Sequence, residues 1–78
     1  MLQFKKVTCL EKYDVFDVND VQIGSLRFED GHLTIHSPNS DGDLIYEAGN
    51  LKIKNYEELK TSRFMTAVVK AIEDWRGN

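Results

Sequence analysis

Turn signals crowd the first fifty residues of this chain and are missing from the stretch that follows, and this uneven punctuation constrains the fold more than any other feature. Asn19-Asp20, Asp30-Gly31 and Gly49-Asn50 each stand between segments rich in apolar and β-branched residues. Dipeptides of this kind accept positive φ and close tight hairpins between antiparallel strands. From Asn55 onward the apolar spacing changes from two to 3.6 residues, the period of a helix. The pattern predicts an α+β fold. An antiparallel sheet of four to six strands, a hairpin meander, lies within residues 1–54, and one carboxy-terminal helix within residues 56–76 packs on one of its faces. With 78 residues and 9.0 kDa the chain has room for a single domain, 1–78.

The clearest register is that around Asp30-Gly31. Counting outward pairs Glu29 with His32, Phe28 with Leu33, Arg27 with Thr34 and Leu26 with Ile35. The apolar pairs share one face and the polar pairs the other, which is how cross-strand neighbours stabilise a half-buried sheet. A two-residue loop at Asn19-Asp20 pairs Val18 with Val21 and Phe16 with Ile23. It also creates a parity conflict, because Val21 and Ile23 are odd while Leu26 and Phe28 are even. A strand cannot present both sets to one face without an extra residue, so a β-bulge or bend is expected near Gly24. At Gly49-Asn50 a third hairpin pairs Ala48 with Leu51, Glu47 with Lys52 and Tyr46 with Ile53, with Leu44 on the face of Tyr46. The amino-terminal segment reads as a strand that continues past Glu11-Lys12 into Tyr13–Val18. Ser37–Asp43 is a polar loop.

Asn55 followed by Glu58 resembles a helix capping box, and Gly77 is a suitable C-cap. On a helical wheel Phe64, Val68, Ala71, Ile72 and Trp75 form one apolar stripe. Leu59 falls on the polar side of that wheel, so it either packs under the sheet from a separate first turn or is exposed. The expected core is Leu26, Phe28, Leu33, Ile35, Tyr46, Ile53, Phe64, Val68, Ile72 and Trp75.

Composition narrows the function classes. Hydrophobic residues make up 41% and charged residues 29%, which is globular rather than disordered. The net charge of −3 argues against direct nucleic-acid binding. No apolar run approaches the roughly 18 residues of a membrane helix, and a lone Cys9 cannot form an internal disulfide; a cytoplasmic setting is the expectation. Residues 11–47 hold nine acids against Lys12 and Arg27, a net of −7. Much of that is turn chemistry, since Asp caps turn backbone, but it also suits an acidic surface facing a basic partner.

No catalytic or metal motif is met. Ser37–Ala48 places Gly42 at the glycine position of a calcium loop, yet begins with Ser37 and ends with Ala48 where carboxylates are needed. His32 and His36 share a strand face roughly 13 Å apart, too far for one ion; an imidazole–acid contact with Glu29 is the simpler reading. Ser25 lacks the glycine that a nucleophile elbow needs after it. No enzyme activity and no cofactor are therefore expected. The expected function is a small binding or regulatory module that acts by protein–protein contact, of a size and character common among phage and mobile-element accessory proteins. The alternative is an acidic nucleic-acid mimic inhibiting a host nucleic-acid-binding protein. The candidate surface comprises Val18, Val21, Ile23 and Leu59, the apolar residues left over by the parity break and the wheel, together with Asp14, Asp17, Asp41 and Asp43. Burial of those apolar residues in a homodimer, or strand addition at an open sheet edge, are further uses of the same surplus.

Overall fold

The computed structural model describes residues 2–7 and 12–76. Five strands, β1 (Gln3–Lys6), β2 (Lys12–Phe16), β3 (Gln22–Glu29), β4 (His32–Ser37) and β5 (Asp43–Ala48), form one antiparallel sheet in the order β1-β2-β3-β4-β5. Two helices follow, α1 (Tyr56–Lys60) and α2 (Phe64–Arg76). The α+β meander expected from the turn signals is the fold of the protein.

The β3–β4 hairpin has the predicted register. Glu29 faces His32, Phe28 faces Leu33, Arg27 faces Thr34 and Leu26 faces Ile35. Asp30 and Gly31 both take positive φ, 52° and 77°, as the two-residue turn demands. All four apolar members of this hairpin are buried, and with Val15, Val68, Ile72 and Leu59 they make the centre of the core.

β1 and β2 are separate strands rather than one. Lys6 pairs with Tyr13 and Gln3 with Phe16, so the chain reverses between them, closed by Val7 N–H donating to Lys12 O at 3.0 Å. Cys9 and the Glu11 end of that connection lie outside the described residues, as does Gly77. The expected third hairpin does not form either. Asn50 adopts φ 58° and Leu51 N–H donates to Gly31 O at 3.0 Å. The chain thus turns beneath the β3–β4 hairpin instead of returning along β5. Residues 51–54 form no strand, and Leu51 and Ile53 pack against the core from below the sheet. Glu47 accordingly meets His32 rather than Lys52, with 2.6 Å between Oε2 and Nε2. The acid that pairs with this imidazole is Glu47, while Glu29 lies 3.4 Å from Arg27.

The helical region is broken at 61–63, and the break explains Leu59. Asn55 caps α1, its Oδ1 accepting from Glu58 N–H at 3.0 Å, while Glu58 Oε1 reaches back to Lys54 N–H at 3.0 Å. After one turn and a half, Ser62 Oγ donates to Leu59 O at 2.7 Å and accepts from Phe64 N–H at 3.2 Å. Hydroxyl side chains that bond the local backbone compete with helix continuation. The restart at Phe64 frees α1 from the wheel of α2, and Leu59 is fully buried. Beside it Tyr56 stacks on Tyr13, centroids 3.9 Å apart at 21°, with Phe4 at 6.3 Å. Burial, then the neighbouring Tyr13 and Glu57, push the Tyr56 phenol up to about 12. Tyr13 and Tyr56 are core residues that the expected list omits. Trp75 is the opposite correction. It is 43% exposed, because it lies one turn past Ile72, the last residue of α2 that the sheet covers completely. Tyr46, Ile53 and Phe64 are only partly buried.

Candidate interaction surface

Two connections meet at one end of the sheet, the β2–β3 turn and the β4–β5 loop. Between β2 and β3 the loop has three residues, not two. Asp17 N–H donates to Val21 O at 3.0 Å, and Asp20 N–H donates to Asp17 O at 3.0 Å. Asp20 sits in the left-handed region at φ 64°, the usual third residue of such a loop. Phe16 therefore faces Gln22, one step off the expected pairing with Ile23. Ile23 then has no partner, and Val15 faces Gly24. This is the bulge expected near Gly24. Beyond it the register is that of the two-residue turn, with Tyr13 opposite Leu26.

The bulge turns Ile23 into the core, at 7% exposure, and leaves Val18 and Val21 outside it, at 77% and 56%. The turn that carries them is held by Asp17. Its carboxylate is buried and Oδ1 accepts both Asn19 N–H, at 2.8 Å, and Val21 N–H, at 3.0 Å. On the outer side Lys5 Nζ lies 3.2 Å from Asp20 Oδ1 and 4.5 Å above the Phe16 ring, which ties the edge strand to the turn.

The β4–β5 loop is held by hydrogen bonds of its own. Gly42 N–H donates to Asn39 O at 2.9 Å, and Asn39 Oδ1 accepts Asp41 N–H at 2.9 Å. A Cβ on Gly42 would stand 2.1 Å from Ser37 O, so no larger residue fits there. Ser37 Oγ donates to Ile23 O at 2.6 Å and joins the two connections directly. Just past the loop the ladder slips again: Ile35 faces Tyr46, but His36 faces Leu44, and Ile45 has no partner. Ile45 packs against the core while Leu44 changes face and stands 50% exposed. The expectation that Leu44 shares the face of Tyr46 is thus overturned by a second bulge, one that no glycine marks in the sequence.

The eight candidate residues separate accordingly. Val18, Val21, Asp41 and Asp43 are exposed at this one end. Asp17 positions the turn from within. Ile23 is a core residue instead of part of an exposed surface, and Leu59, packed inside from a separate first turn as one of its two expected placements has it, leaves the candidate surface too. Asp14 is half-buried on the sheet face away from the helices, opposite Lys5 and Ser25. Sequence reasoning missed the role of Asp20 in closing the turn.

The uncovered sheet face is polar. Arg27, Glu29, Asp30, His32, Thr34, Gly49 and Asn50 line an open depression of about 500 Å³ there. Across it Arg27 Nη2 lies 3.4 Å from Glu29 Oε1 and His32 Nε2 lies 2.6 Å from Glu47 Oε2. Among the described residues no group of three or more His, Cys, Asp or Glu is arranged to hold a metal ion, and no helix is long and apolar enough to cross a membrane. No protein-family model, curated protein or solved structure matches this chain.

Proposed function

We propose that this protein is a small non-enzymatic binding or regulatory module that acts by contact with another protein through its β2–β3 turn. The observation that supports this reading is the pairing of a fixed turn with apolar side chains, Val18 and Val21, that stand outside the core. The Asp17 carboxylate is buried and accepts the Asn19 and Val21 amides of the loop, yet the turn it stabilises presents Val18 at 77% exposure. A rigid apolar tip loses little entropy on binding, and loops on a fixed scaffold are where recognition concentrates. The nucleic-acid-mimic reading has less support. It needs carboxylates over one continuous surface, whereas on the open sheet face Asp14, Glu29 and Glu47 alternate with Lys5, Lys12 and Arg27.

Photo-crosslinking tests the proposal. A benzophenone amino acid in place of Val18 should yield a discrete crosslinked partner from a lysate of the source cells. The same group in place of the exposed helix residue Thr66 should not. Identical crosslinking patterns from the two positions would refute the proposal.

A further inference from the structure

We infer that residues 51–54 are a docking strand for an extended, acidic segment of another protein, at the opposite end of β3 from the β2–β3 turn and independent of it. Leu51-Lys52-Ile53-Lys54 alternates as a strand does. So does its burial: Leu51 and Ile53 pack partly buried against the core, and Lys52 and Lys54 are exposed. The segment nevertheless has no place in the sheet. Both of its ends are held. Leu51 N–H donates to Gly31 O at 3.0 Å, and Lys54 N–H donates to Glu58 Oε1 at 3.0 Å. Between them the Lys52 and Ile53 amides, and the carbonyls of residues 51–54, make no hydrogen bond among the described residues. Backbone amides and carbonyls are strong, directional hydrogen-bonding groups. A segment already held in place loses little entropy when a second strand is added to it.

The occupant's chemistry follows from what lines the segment. An open depression of about 470 Å³ is bounded by Asp30, Gly31 and residues 51–54. Lys52 and Lys54 line it together, and neither forms an ion pair among the described residues, unlike Lys5, Lys60 and Lys70. Two uncommitted ammonium groups at alternate positions match carboxylates at alternate positions of an added strand. Asp30 is the one acid that lines the depression, at the turn its positive φ helps to make, so the occupant's residue beside it is not acidic. A second copy of the chain is a poor occupant. Two-fold pairing of the segment with itself, Leu51 and Ile53 kept toward the core, would oppose lysine to lysine. A nucleic-acid strand is a poor one too, because phosphates would meet the lysines but bring no N–H donor to the segment's carbonyls.

Short peptides with blocked termini test the inference, alternating threonine with glutamate, with glutamine or with lysine. Each is titrated into the full ¹⁵N-labelled chain while the amide spectrum is followed. The threonine–glutamate peptide should shift the amides of Gly31, Lys52 and Ile53. It should bind about tenfold more tightly at low salt than at high salt, since exposed charges are screened. Lys52→Gln with Lys54→Gln should weaken it several-fold without moving the rest of the spectrum. Asp30→Asn, which accepts the same positive φ, should tighten it. Equal binding of the threonine–glutamine peptide would overturn the acidic partner. Unchanged binding after methylation of the peptide's backbone nitrogens would overturn the strand pairing. An oligothymidylate that shifts the same amides as strongly would overturn the protein partner. No shift at residues 30–31 and 51–54 with any peptide would refute the inference as a whole, while the β2–β3 turn keeps its own crosslinking test.

Discussion

The two hairpins that share β3 solve the same problem in opposite ways. At Asp30-Gly31 the turn has the shortest loop its residues allow, the ladder runs without a break, and every apolar side chain is buried. At Asp17–Val21 the loop is one residue longer, the register slips, and Ile23 must bulge before the strands are in phase again. That second arrangement uses a buried carboxylate to hold its turn and leaves two valines in solvent. Folding alone explains the first hairpin completely. It does not explain why the second keeps Val18 and Val21 apolar, and that residue of unexplained chemistry is what points to binding.

The contrast can be broken most forcefully at the first hairpin. Phe28 is 1% exposed, and Phe28→Ala should cost roughly 3–5 kcal/mol through lost burial and the cavity left behind, measured as a shift in urea midpoint. Phe64→Ala should cost less, because Phe64 is only partly buried. A Phe28 variant that melts like the parent would mean that the core lies elsewhere.

The strand that the second hairpin contributes to the core is anchored by Tyr13 on Tyr56, and pH reads that anchor. The Tyr56 phenol ionises near 10 when unfolded and near 12 in the fold. Its contribution is therefore complete below pH 10 and fades as pH rises through 12. Linkage puts the loss at roughly 2–3 kcal/mol. Denaturant titrations at pH 9 and pH 12 should show a larger drop for the parent than for Tyr56→Phe; equal drops would exclude this origin.

A smaller effect is expected inside the turn itself. Asp17→Ala removes the acceptor for the Asn19 and Val21 amides and should cost about 1–3 kcal/mol. Hydrogen exchange at those two amides should accelerate more than at the β3–β4 turn. Smallest of all, Val18→Asn and Val21→Asn should change stability by no more than about 0.5 kcal/mol, as surface substitutions do, while weakening capture of any partner. A large stability loss in either would return these valines to the fold and remove the reason to assign them to binding.

Much of this was legible because it is local. Asp30-Gly31 sets its own backbone angles, alternation sorts Leu26, Phe28, Leu33 and Ile35 to one face, and the parity conflict beside Gly24 requires one extra residue in β3. Asn55 announces its cap three residues ahead of Glu58. The candidate site was legible only in part: Val18, Val21, Asp41 and Asp43 stand out from pattern alone, whereas the burial of Ile23 and the bracing role of Asp17 do not.

What the sequence by itself determined, then, is the α+β class, the β3–β4 register, the need for a bulge and the capped start of α1, each of them set by interactions within a few residues. The tertiary structure alone decided the rest. Whether Gly49-Asn50 closes a hairpin depends on Gly31, which takes the Leu51 amide instead. Whether Leu59 is inside depends on the Ser62 break that rotates α1 away from α2, and whether Leu44 is outside depends on how β5 meets β4 after Ile45 slips. In each case two local conformations were both acceptable, and the choice was made by contacts with residues distant in the chain, where burial of apolar surface outweighs the small differences in local preference.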